Sequence, residues 1–109
     1  MKIKYILKEF SNTLYHITDI QTLLKILKTD LEISGESRDE MLGNMIDLAK
    51  AAITREGITL NDSVDDGMLV ELYAAFLYRK RREEAVAMPR SLRYLLNNRL
   101  LSQKGNIDK

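Results

Sequence analysis

The sequence predicts an all-α domain, a small bundle of four to five helices around a central apolar helix at about residues 64–84. Three observations carry that expectation. Five glycines and one proline in 109 residues leave few breaks, which favours helices over a turn-rich β fold. Apolar residues recur every three or four positions, the spacing that gathers them on one face of a helix. The expected helix starts carry Ser or Thr with Gln, Glu or Asp three positions on, a pattern that satisfies orphan backbone N–H groups.

At 100° per residue, Ile3, Ile6, Leu7, Phe10, Leu14 and Ile17 fall in one stripe, which reads as an amphipathic helix over about 3–16. The alternation in IKYI leaves a short strand at 2–7 as the other reading. Residues 1–19 are therefore an N-terminal amphipathic arm or extra helix, residues 20–104 the main helical domain and residues 105–109 a flexible tail. Thr18 and Gln21 form a capping box ahead of a helix over about 19–29, with Ile20, Leu23, Leu24 and Leu27 on one face.

A second box, Ser37 with Glu40, opens a helix over about 38–56. Its expected buried face is Met41, Leu42, Met45, Ile46, Leu48, Ala49, Ala52 and Ile53, and Gly57 stands where a left-handed terminal residue belongs. Residues 58–63 form an extended link. Ser63 and Asp66 then cap the central helix, and Asp65 and Asp66 suit the positive end of its dipole. From Met68 to Tyr78 only Glu71 is polar, so this helix must be covered nearly all round. Glu71 is expected at its exposed edge or paired with an arginine.

Pro89 suits the first turn of a last helix, over about 89–103. Leu92, Leu95, Leu96 and Leu100 share one side, but Arg99 and Gln103 fall inside that stripe while Tyr94 and Leu101 lie opposite. A mixed face of this kind reads either as contact with a second chain or as a frayed end with stray apolar residues.

The composition narrows the chemistry. With no cysteine, disulfides, thiolate nucleophiles and Cys-ligated metals are excluded. His16 is the lone histidine and reads as a surface residue, and the scattered glycines form no phosphate loop. Asp62, Asp65 and Asp66 lack the spacing of a calcium loop and read as helix caps. No enzyme, cofactor or metal is expected. The longest strongly apolar run, Met68–Tyr78, is far short of the ~20 residues a membrane helix needs, and charges interrupt MKIKYILKEF, so neither a membrane span nor a signal peptide is expected.

Charge is polarised along the chain. Residues 79–109 hold nine basic and three acidic side chains, a net +6, whereas residues 1–78 hold eight basic and thirteen acidic, a net −5. Such a chain suits polyanions or head-to-tail contact with its own kind. The candidate assembly interface is Arg79, Lys80, Arg81, Arg82, Arg90, Arg93, Tyr94, Arg99 and Leu101, facing acids such as Asp39, Glu40, Asp47, Asp65 and Asp66 on an adjacent copy.

Between about Leu23 and Lys104 the chain resembles the small head–tail connector (head-completion, adaptor) proteins of tailed bacteriophages and prophages. The resemblance rests on AAITREGI at 51–58, the acidic link NDSVDD at 61–66, MLVELYAAFLYRKRRE at 68–83 and MPRSLRYLLNNRLLSQK at 88–104, in that order. It implies a structural virion protein without catalytic activity. Such a subunit forms a homo-oligomeric ring between the portal protein and a tail-side completion protein, with double-stranded DNA passing close by without sequence recognition. The location implied is the virion, and the bacterial host cytoplasm before assembly. The competing readings are a small DNA-binding protein and a stand-alone helical interaction module encoded by a phage or prophage.

Overall fold

The computed structural model describes residues 20–83 and 85–107. These form four helices, α1 (Ile20–Asp30), α2 (Asp39–Arg55), α3 (Val64–Arg82) and α4 (Arg90–Ile107), with no strand among the described residues. The described residues are all-α, in keeping with the glycine-poor, 3.6-periodic sequence. The N-terminal helix, its rival strand, the Thr18 cap and His16 lie outside the described residues.

Helix α1 buries Leu23 and Leu27, one turn apart, whereas Ile20 at its first position is exposed rather than on the covered face. Its end is a Schellman motif. Ile33 N–H donates to the Lys28 carbonyl at 2.9 Å and Glu32 N–H to the Thr29 carbonyl at 3.2 Å. The left-handed position falls on Glu32, with φ 57°, where glycine is the usual occupant.

Helix α2 starts without the expected capping box. Arg38 is its N-cap and makes no side-chain cap bond, and Ser37 lies in the preceding turn, where the Glu36 carbonyl already takes the Asp39 N–H at 3.1 Å. Asp39 and Glu40 in the first turn supply the favourable charge at the dipole's positive end instead. Leu42, Met45, Ile46, Ala49 and Ile53 are buried. Leu48 is not, at 50% exposed. It stands roughly 120° round the helix from the centre of that stripe, too far to reach the core. Gly57 follows α2 with φ +99°, the left-handed conformation expected of it.

Helix α3 begins at the expected cap: Ser63 Oγ accepts the Asp66 N–H at 3.1 Å. It packs against each of the other three helices, and Leu69, Val70, Tyr73, Ala74, Ala75, Phe76 and Tyr78 are buried in it. Tyr73 and Phe76 meet edge to face, with ring centroids 5.9 Å apart. Met68, at the start of the apolar run, remains exposed. Helix α4 follows Pro89, whose carbonyl accepts the Arg93 N–H at 3.1 Å. Leu92 and Leu96 are buried, Leu100 is half-buried, and Leu95 at the stripe's edge is exposed instead of covered. The helix continues to Ile107, taking in residues 105–107 that the sequence assigned to a tail.

Candidate functional site

The polar residues inside the apolar stripe of α4 have partners within the chain. Arg99 Nε donates to Asp66 Oδ1 at 2.7 Å, and Nη2 donates to Asp66 Oδ2 at 3.1 Å and to the Thr59 carbonyl at 2.8 Å. Asp66 Oδ2 also accepts the Asn61 N–H at 2.8 Å. One turn further along α4, Gln103 accepts the Thr59 N–H at 2.7 Å and donates to the Gly57 carbonyl at 2.9 Å. The extended link 57–61 has no helix or strand ladder of its own, so its backbone groups need partners from elsewhere. Arg99 and Gln103 supply them. The polar part of the α4 stripe is thus the clasp of an internal link, and Arg99 is engaged within its own chain where the sequence had it reaching a neighbouring copy.

Asp66 is 1% exposed and holds Arg99 on its own chain, so it is not an acid offered to a neighbour. Its bond pushes the Arg99 guanidinium still higher than the usual arginine range. Arg93 is likewise engaged within the chain, its two terminal nitrogens donating to Glu56 at 2.7 and 3.3 Å across α4 and the end of α2. Asp39 lies 2.8 Å from Lys28 Nζ. Of the α4 candidates, Arg90, Tyr94 and Leu101 remain outward. Tyr94 is 67% and Leu101 65% exposed, and a spacing of seven residues puts them on one face, two turns apart.

The basic run at the end of α3 divides by partner. Arg79 Nη2 lies 3.8 Å from Asp30 Oδ1. Lys80 Nζ stands 5.8 Å from the centroid of the Phe76 ring, and Arg81 is exposed. Arg82 Nη1 donates to the Tyr78 hydroxyl oxygen at 3.2 Å, and its guanidinium carbon lies 5.9 Å from the Tyr78 ring centroid. Arg38, which nothing in the sequence singled out, donates to the same oxygen at 2.7 Å from the start of α2. A pairing across forty residues leaves no periodic or motif signal.

Glu71 is buried, 2% exposed, and not at the helix edge. Burial, together with the hydrogen bond to Asp30 and the charge of Asp30, pushes its carboxyl up to about 8, against a smaller opposing pull from Arg79. At neutral pH it therefore keeps its proton, beside Asp30 at the end of α1, while Oε1 has no hydrogen-bond partner. The signal was in the sequence, since a helix covered nearly all round covers its one polar residue too. An open groove of about 430 Å³ runs here between α1 and α3, with Lys25, Thr29, Asp30 and Glu71 as its polar lining.

Among the described residues no group of three or more His, Asp or Glu side chains is placed to hold a metal ion. None of their helices is long and apolar enough to cross a membrane. No protein-family model matches the chain, and neither a curated protein nor a solved structure matches it.

Proposed function

We propose that this chain is a structural assembly protein, a subunit of the head–tail connector ring of a tailed phage or prophage, its helices bundled about α3. The observation that carries the reading is the outward face of α4. Tyr94 and Leu101 stand exposed two turns apart, with Arg90 one turn before Tyr94 and Lys104 near Leu101. Aromatic and aliphatic anchors ringed by cations are the makings of a protein interface. The face is rigid, because Arg93, Arg99 and Gln103 on the same helix are fixed to Glu56, Asp66 and the 57–59 link. A ring interface is heterologous, one patch meeting a different patch on the neighbour. Exposed acids such as Asp47, Glu40 and Asp65 on the body complement the basic end and steer assembly more than they tighten it. The resemblance of the segment order at 51–104 to that of connector proteins supports the same reading.

The test is the double variant Tyr94→Asp/Leu101→Asp, with Arg90→Glu beside it. The helical circular dichroism signal is expected to persist while self-association, read by light scattering, and co-sedimentation with a portal protein are lost. Full assembly by the double variant would end the reading. The alternative, a small DNA-binding protein, draws on Lys80 and Arg81, which meet no carboxylate among the described residues. It predicts preference for one duplex sequence, together with a fall in affinity of roughly one logarithmic unit per tenfold salt for each phosphate contacted.

A further inference from the structure

We propose that Arg38, Tyr78 and Arg82 form a binding site for a phosphoryl oxyanion. Two guanidinium groups from different elements, the N-cap of α2 and the last residue of α3, converge on a single phenolic oxygen, at 2.7 and 3.2 Å. Their donating nitrogens therefore lie no farther apart than the sum of those two distances. Two cations held that close repel each other, and no carboxylate stands between them on the oxygen that both donate to. Neither guanidinium meets a carboxylate among the described residues.

The arrangement is built rather than incidental. Tyr78 is buried, 6% exposed, and belongs to the core of α3, so its hydroxyl is a fixed anchor. The Arg82 guanidinium is held twice, by that hydroxyl and near the ring of the same tyrosine. Each guanidinium carries five N–H donors in a rigid fork and spends one on the hydroxyl, so most of the donors remain. Both arginines are exposed, so the site is open to a ligand from solvent.

The chemistry selects the ligand class. Guanidinium forks match the spacing and charge of oxygens on a tetrahedral phosphoryl group, and two forks side by side match its multiple oxygens. A metal cation is excluded by the sign of the charge. Of the acids next to the two arginines, Asp39 is beside Lys28, and Glu83 makes no ion pair with Arg38 or Arg82. Lys80 and Arg81 on the same turn add positive potential. The oxyanion can be free phosphate or a phosphodiester of a nucleic-acid backbone, which present the same oxygens. This inference stands apart from the assembly reading, since it uses none of the α4 face.

The experiment has two arms on the full chain at low salt. Inorganic phosphate is titrated by calorimetry, and a mixed-sequence DNA duplex by fluorescence anisotropy. Each arm uses wild type, Arg38→Gln, Arg82→Gln and the control Arg55→Gln, an exposed arginine on α2 that is not part of the cluster. Circular dichroism checks that all four are folded. The site is supported if both cluster variants weaken one ligand by about tenfold or more while Arg55→Gln does not, the loss expected when a charge-assisted bond is removed. Phosphate responding identifies the free anion, and the duplex responding without phosphate identifies the backbone phosphodiester. Should neither ligand respond to the cluster variants, or should Arg55→Gln weaken binding equally, the site does not exist.

Discussion

Arg99 on α4 closes two edges of its guanidinium on Asp66 at the start of α3, with Nε 2.7 Å from Oδ1 and Nη2 3.1 Å from Oδ2. The same Asp66 takes the Asn61 N–H, and its own N–H goes to Ser63, so one acid joins the helix cap, the link and the last helix.

That junction makes Arg99 a residue of the fold. Removing it leaves the buried Asp66 carboxylate short of its counter-charge, so Arg99→Leu is expected to cost about 3–5 kcal/mol in urea unfolding. Asp66→Asn in the Arg99→Leu background should recover part of that, because no buried charge then lacks a partner. Arg99→Glu, which sets two acids against each other, is expected to destabilise the chain rather than to act on assembly alone.

Truncation within α3 should be costly. Phe76 is buried against Tyr73, and Phe76→Ala is expected to lower stability by about 3–5 kcal/mol. Leu72 is only half-buried, and Leu72→Ala should cost less. An unchanged thermal midpoint for Phe76→Ala would contradict the packing of α3.

Glu71 gives the fold a pH dependence of definite sign. Its folded pKa, about 8, stands above the ordinary carboxyl value of 4.5. The protonated form is the one the fold favours, so its contribution is complete below about pH 4.5 and is lost as pH rises from there through about 8. Wild type should therefore lose thermal stability across that window more steeply than Glu71→Gln, which keeps a neutral side chain at every pH. Parallel profiles for the two proteins in a pH series of thermal melts would show that Glu71 is not the group responsible.

Glu32 offers a gain. A non-glycine residue in the left-handed conformation carries strain of about 1–2 kcal/mol, while glycine costs about 0.5–1 kcal/mol in chain entropy. Glu32→Gly is expected to raise stability by up to about 1 kcal/mol, measured by urea unfolding, with no change in helical content. Glu32→Val, β-branched at φ 57°, should lower it.

What the sequence determined by itself is what local physics can encode. Periodicity placed α1, α2, α3 and the start of α4 because 3.6-residue spacing follows from covalent geometry within one segment. The Ser63 cap and the left-handed Gly57 were readable for the same reason, since each is settled within a few residues. What only the tertiary structure decided lies between segments. Arg99 and Gln103 looked misplaced in an apolar stripe until the link carrying Gly57 and Thr59 was laid against them. That Glu71 would be covered was readable from its apolar helix, but its raised pKa depended also on α1 bringing Asp30 to it. The convergence of Arg38 and Arg82 on Tyr78 spans forty residues, a distance at which neither spacing nor charge pattern records a contact. A polar side chain announces in the sequence that it needs a partner; which partner satisfies it is fixed only when separate helices pack and exclude water from the space between them.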